Sequence, residues 1–298
     1  MPAIGRGTFL TFDLLPDAKR NALRQVMQAY WDGGARLIDT SPLDGSAEIA
    51  VGDFATALGI GEQMFVANKI WATGDYLADE SHIRRSLDLS EGHLSRSKID
   101  LMQCHSLINI DVVLPYLRAW KREGRIRYTG VSHRENVYHP VLASWVERGD
   151  LDFLQVNYSI FNRAAEQMLL PMTQRRGVAV NVNMPFEKAR LFKVVEGRDP
   201  PTFAREFGAE TWAAFFLKYV LSHPAVTCVL PATSNPAHAK ENVAAMKGPL
   251  PDEATGRRMV AHMDGIPGFS TIAETPWYPG KRYMGLIGRS QAQLKARS

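Results

Sequence analysis

Residues 36–71 read RLIDTSPLDGSAEIAVGDFATALGIGEQMFVANKIW, and they lay out one structural unit in full. A short apolar run over 36–40 finishes in Asp39 and Thr40. A helix-like stretch over 46–58 follows, and Gly59 stands where a left-handed residue commonly ends a helix. A second apolar run, 65–69, finishes in Lys69. Strand, helix and strand in this order imply parallel strands joined by a right-handed crossover.

Outward from that unit the pattern repeats along the chain. Strand-like runs occupy 4–8, 36–40, 65–69, 100–105, 127–132, 152–157, 178–183 and 227–231. Helix-like stretches occupy 16–32, 46–58, 79–95, 110–123, 138–148, 163–176, 209–222 and 236–246. In 79–95, Ile83, Leu87 and Leu94 alternate with Arg84, Arg85, Asp88 and Glu91, the period of an amphipathic helix. Eight such units fit a doubly wound open sheet or a closed barrel. The open sheet usually carries G-x-G-x-x-G after its first strand, and Gly5-Arg6-Gly7-Thr8-Phe9 lacks the third glycine. A chain of 298 residues also falls in the single-barrel range. The expected fold is α/β, a (β/α)8 TIM barrel over residues 1–264, with residues 265–298 as a tail that forms a lid or a surface or oligomer segment.

Composition narrows the function classes. With 45% hydrophobic residues and a formal net charge of +4, the chain is not dominated by disorder. No stretch reaches the roughly 20 apolar residues of a membrane helix. Arg6 and Asp13 interrupt the first apolar stretch, so no secretory signal is read there. Cys104 and Cys228 make neither a disulfide framework nor a metal-ligand spacing, so no metal and a cytoplasmic location are expected. The basic pI of about 9.0 comes from the end of the chain. Lys281, Arg282, Arg289, Lys295 and Arg297 carry more than the whole net charge, and residues 1–280 are formally at −1. That end is expected to be solvated and mobile, and no nucleic-acid or membrane partner is implied.

The strands finish in Thr8, Asp39, Lys69, His105, Ser132 with His133, Gln155 with Asn157, Asn183, and Thr233 just past the last run. In a barrel these ends converge on the face that carries active sites. Asp39, Lys69 and His105 come from consecutive strands and read as an acid/base cluster. A structural ion pair and a satisfied core histidine are the plainer alternatives, as are turn caps for Ser132, Asn157 and Asn183. Trp71 offers an apolar wall for a small-molecule substrate.

IGRGTF, GARLIDTSP, FVANKIW, SKIDLMQCH, EGRIRYTGVS, DFLQVNYS, LLPMTQRRGVAV and HPAVTCVLPATSNPAHAKEN, in this order, resemble the aldo-keto reductases over nearly the whole chain. Lys69 to Gly74, Arg118 to Tyr128 and Trp212 to Tyr219 are similar to a bacterial branch of that family. The resemblance implies a barrel that binds NADP(H) across its carboxyl-terminal face and transfers hydride between nicotinamide and a carbonyl or alcohol. Asp39, Lys69 and His105 then match three members of the family's catalytic tetrad. The fourth, a tyrosine that gives its proton to the substrate oxygen, is Asp44 here. Losing a positioned general acid typically lowers the rate about 10²- to 10⁴-fold. Asp44 beside Lys69 is expected to be ionised, because a nearby cation favours the carboxylate, and so to be unable to protonate an alkoxide.

Three readings follow from that exchange. The chain remains a reductase or dehydrogenase, with His105 or Tyr76 supplying the proton. Alternatively it is a redox-neutral acid/base enzyme such as an isomerase, dehydratase or cyclase, or a catalytically inactive cofactor-binding module. By the same resemblance Ser132 and Gln155 hold the nicotinamide amide, with His133 where asparagine is common. Asn183 falls where many members stack a tyrosine, and Met184 follows where arginine is usual. Thr233, Ser234, Asn235, His238, Glu241 and Asn242 align with the adenosine-phosphate loop. Ala232 and His238 occupy positions of 2′-phosphate cations, so NADP(H) leads and NAD(H) stays open. The hairpin that closes the barrel bottom in many members has no counterpart before strand 1, so the bottom is covered otherwise or open.

Overall fold

The computed structural model describes residues 3–15, 17, 18, 20–71 and 81–297. Eight parallel strands pair in chain order, β1 (Arg6–Gly7), β2 (Leu37–Asp39), β3 (Phe65–Ile70), β4 (Ile99–His105), β5 (Ile126–His133), β6 (Phe153–Asn157), β7 (Ala179–Asn183) and β8 (Val226–Val229). The ring closes where Gly5 N–H donates to Val229 O at 2.9 Å, Val229 N–H to Ala3 O at 2.9 Å and Gly7 N–H to Pro231 O at 3.2 Å. This is the expected (β/α)8 barrel.

Helices α1 (Asn21–Asp32), α2 (Ala47–Leu58), α3 (Ser81–His93), α4 (Ile110–Glu123), α5 (His139–Glu147), α6 (Leu169–Arg176), α8 (Trp212–Leu221) and α9 (Pro236–Ala244) fill the crossovers and follow the last strand. A short α7 (Arg190–Val194) sits in the loop after β7, and α10 (Glu253–Asp264) and α11 (Leu286–Arg297) follow the barrel. The stretch 163–176 is not one helix. A 3-10 turn at Ala164–Gln167 ends at Met168, whose φ of −140° breaks the helical path before α6.

Side chains alternate across each strand, so every second residue points into the barrel. Leu37, Ala67, Leu101, Phe153, Cys228 and Leu230 form the inner apolar layer. Beneath it Phe65, Tyr128 and Phe153 pack with ring centroids 5.5–6.0 Å apart. Those three rings pack at the amino-terminal end of the barrel. The opposite faces of the strands pack on the helices through one continuous apolar cluster.

The chain past the barrel is anchored at several points, while Lys281, Arg282 and Arg289 are exposed as expected. Phe269 and Ile272 are buried, and Ile287 N–H donates to Asp13 Oδ2 at 2.7 Å. Gly285 sits so close that a Cβ there would lie 2.2 Å from Asp13 O. Among the described residues no helix is long and apolar enough to cross a membrane.

Candidate active site

Strand β2 ends at Asp39, and the chain then turns through Thr40, Ser41 and a single 3-10 turn, Pro42–Asp44. Ser41 caps that turn by accepting from Leu43 N–H at 3.1 Å. Gly45 follows at φ +68°, with its missing Cβ replaced by Asp13, whose Oδ1 also accepts from Ser46 N–H at 3.2 Å. Asp13 therefore ties the Asp44 turn to the tail strap described above.

Lys69, at the end of β3, donates from Nζ to Asp39 Oδ1 at 2.7 Å and to Thr40 O at 2.9 Å. Asp44 is 7% exposed and accepts from Thr8 Oγ1 at 2.9 Å. Its state reverses the expectation from sequence. Burial pushes its carboxyl up to about 7, outweighing the pull of Lys69 and the Thr8 hydrogen bond, and Asp39 and Glu48 add to the rise. Asp39 holds the Lys69 ammonium directly, whereas Asp44 accepts from Thr8.

Burial pushes His105 down to about 3, with the charges of Lys69, Arg134 and His133 adding to the effect, so its imidazole is neutral. Its Nδ1 lies 3.2 Å from Ser41 Oγ, and its ring meets Trp71 edge-on at 5.1 Å. Ser41 Oγ accepts from Leu43 N–H and can either donate to Nδ1 or accept from it, depending on the tautomer. In the tautomer in which Ser41 donates to Nδ1, the imidazole carries its own proton on Nε2.

These groups line one cavity of about 920 Å³ at the carboxyl ends of the strands. Asp39, Asp44, Lys69, Trp71, His105, Ser132, His133, Gln155, Asn183, Thr233, His238, Glu241 and Asn242 all reach it. Ser234 and Asn235 do not. Asn235 is the N-cap of α9, its Oδ1 accepting from Ala237 N–H at 2.9 Å, and Thr233 Oγ1 accepts from Asn235 N–H at 3.1 Å. Tyr76 lies outside the described residues.

At the inner wall, Gln155 Nε2 and Asn183 Oδ1 are buried without a hydrogen-bond partner among the described residues. A native site rarely leaves such groups unpaired. The ring of His133 stacks on Tyr138 at 3.8 Å, and its Nδ1 accepts from Glu135 N–H at 3.1 Å, so Nε2 remains to donate.

Several cavity residues were not singled out in the sequence. Lys188 follows β7 in a run of three left-handed residues, Glu187, Lys188 and Ala189, with φ of +50°, +51° and +68°. Its Nζ sits 3.1 Å over the ring of Trp277, and burial, with Arg134 and Arg190, pulls it down to about 7. Tyr278 has φ +54°, and its N–H donates to Lys188 O at 2.9 Å. Its ring meets Tyr283 edge-on at 5.3 Å, and both rings line the cavity. The Tyr278 phenol is raised by burial, then by Tyr283 and Asp44. Two rings of the tail therefore line the cavity, and the charge of Asp44 reaches Tyr278. Only the aromatic tail hinted at this.

A closed parallel barrel with ionisable side chains gathered at the carboxyl ends of its strands is an enzyme barrel. Over residues 3–258 the chain matches the Aldo/keto reductase family, and it belongs to that family of oxidoreductases. It is 28% identical to the NADH-specific methylglyoxal reductase of Escherichia coli (strain K12), covering 87% of this chain and 92% of that protein. It is 23% identical to the pyridoxal 4-dehydrogenase of Microbacterium luteolum, over 84% of this chain and 91% of that one. The crystal structure of an aldo-keto reductase from Klebsiella pneumoniae in complex with NADPH shares the fold, with a TM-score of 0.73 at 22% identity, covering 96% of this chain and 94% of that one.

Proposed function

We propose that this chain is an NADP(H)-dependent oxidoreductase acting on the carbonyl or alcohol of a small molecule, with Asp44 performing the proton transfer that a tyrosine performs in the resembled tetrad. The state of Asp44 carries this reading. A carboxyl with a midpoint near neutrality holds a proton in part of the population at pH 7, so it can act as an acid and as a base.

The cavity suits the cofactor. Gln155 Nε2 offers an unspent donor and Asn183 Oδ1 an unspent acceptor, the pair that a primary amide complements. Ser132, His133, His238, Glu241 and Asn242 line the same cavity, and the last three would hold the adenosine half. A nicotinamide cofactor, when bound, supplies or accepts the hydride.

In the reducing direction the Asp44 carboxylic acid gives its proton to the carbonyl oxygen as negative charge develops there. Lys69, fixed by Asp39 and Thr40, and the neutral His105 through Nε2–H stabilise that oxygen. In the oxidising direction the Asp44 carboxylate takes the proton from the alcohol. Reduction therefore falls as pH rises through about 7, and oxidation rises through the same point.

Titration with NADPH and NADH, followed by tryptophan fluorescence and calorimetry, tests the cofactor; micromolar or tighter binding, with NADPH ahead, is expected. Methylglyoxal and pyridoxal, substrates in the names of two relatives, are the first carbonyl probes. With reduced cofactor deuterated at the transferring position, a deuterium-bearing alcohol supports hydride transfer. A product isomeric with its substrate and free of deuterium, or no binding of either nucleotide, contradicts it.

A further inference from the structure

Gly5-Arg6-Gly7 lacks the third glycine of a phosphate turn, and its arginine does not line the cavity at the mouth. A Cβ on Gly5 would lie 3.0 Å from Cys228 Sγ and from Leu230 Cδ2, in the inner apolar layer. The alternation of the strand therefore turns Arg6 outward, toward α1. There it is 2% exposed, with its guanidinium 3.3 Å over the Phe12 ring and 5.7 Å from that of Tyr30. Stacking takes the face of a guanidinium and leaves its N–H groups, which lie in the plane. Nε, Nη1 and Nη2 have no hydrogen-bond partner among the described residues. Burial pulls the group down to about 9, opposed by Tyr30 and not by a carboxylate.

Arg6 lines a second cavity, of about 20 Å³, which shares no lining residue with the large one. Arg36 lines it too, with Met27, Tyr30, Trp31 and Met64, and no acidic side chain does. Arg36 stacks 3.8 Å over Trp31, and its Nη1 donates to Trp31 O at 2.8 Å and Ala35 O at 3.0 Å, which leaves its other nitrogens to donate. The polar side chains around this cavity are thus donors. Arginine and tryptophan carry no acceptor, and the Tyr30 oxygen already accepts from Asn242 Nδ2 at 2.9 Å. A water would need acceptors for its own protons, whereas an anion only accepts. About 10–15 Å³ holds one water, so the space suits one monatomic ion and is too small for a tetrahedral oxyanion.

We propose that this pocket between β1 and α1 binds one halide ion, held by Arg6 with Arg36 beside it. The ion supplies the counter-charge that the fold leaves off Arg6. It ties the stability of the β1–α1 region to halide concentration and takes no part in the chemistry at the mouth.

The test follows thermal unfolding of the wild type and Arg6→Met as sodium bromide or chloride replaces sodium gluconate at fixed ionic strength. The wild-type Tm is expected to rise by about 2–4 °C and to saturate, as binding to the folded state requires. Arg6→Met is expected to show no such rise, so its stability advantage over the wild type is largest without halide. Crystals of the wild type soaked in bromide are expected to show an anomalous peak in contact with the Arg6 nitrogens.

An equal rise in the wild type and Arg6→Met marks a general salt effect and overturns the proposal. A bromide-soaked wild-type crystal without a peak at Arg6 overturns it too, and that observation decides the matter if Arg6→Met does not fold.

Discussion

At the amino-terminal end of the barrel Phe65, Tyr128 and Phe153 pack ring on ring, whereas at the carboxyl end Asp44, Lys69 and His105 are gathered around a cavity. Burial acts on different things at the two ends. At the bottom it removes apolar area from solvent and stabilises the fold. At the mouth it acts on charge, pushing Asp44 up to about 7 and His105 down to about 3. One physical cause therefore yields stability at one end and chemically poised groups at the other.

Asp44→Asn should break the comparison at the mouth with the largest effect. Reduction is expected to fall about 10²- to 10⁴-fold, because the amide has no proton to give. Stability should move the opposite way. The folded-state pKa is raised, so the folded protein holds a proton that the unfolded chain has lost as pH climbs from about 4 to about 7. The wild type loses stability across that window, and the Asp44→Asn variant does not feel the loss. Above pH 7 the variant is expected to be more stable by about 2–4 kcal/mol, read by denaturation at acidic and alkaline pH.

Phe153→Ala tests the other end. Removing one ring of the plug is expected to destabilise the fold by about 3–5 kcal/mol, measured by urea denaturation, with kcat unchanged in the folded enzyme. A loss of activity without a loss of stability would mean that the two ends are not separable.

Arg6 sharpens the contrast with a smaller effect. It is 2% exposed on β1, its guanidinium lies 3.3 Å over the Phe12 ring, and none of its three side-chain nitrogens has a hydrogen-bond partner among the described residues. Burial pulls it down to about 9, yet it does not line the cavity. Arg6→Met is expected to stabilise the protein by about 1–4 kcal/mol, seen as a higher Tm, with activity unchanged. A displaced charge away from the mouth would then bear on stability alone.

Much of this was legible in the sequence. The eight apolar runs marked the strands because parallel barrel strands are buried on both faces. Asp39, Lys69 and His105 stood out because each ends such a run. The charge state of Asp44 was not legible. It depends on how deeply the folded chain buries the carboxyl, which outweighs both Lys69 and the Thr8 hydrogen bond. From sequence only the attraction of Lys69 could be weighed, and that gave the opposite sign. The tail was read as a lid or surface segment, but its anchor on Asp13 was not legible, since Asp13 and Ile287 meet across 274 residues.

The most direct measurement is the titration of the Asp44 carboxyl itself, by infrared or carbon NMR difference between the wild type and Asp44→Asn across neutral pH. It needs no substrate. A midpoint near pH 7 is expected, with the carboxylic acid still visible at about pH 6. A midpoint in the ordinary range near 4 would leave Asp44 ionised at neutral pH and remove it as the proton donor.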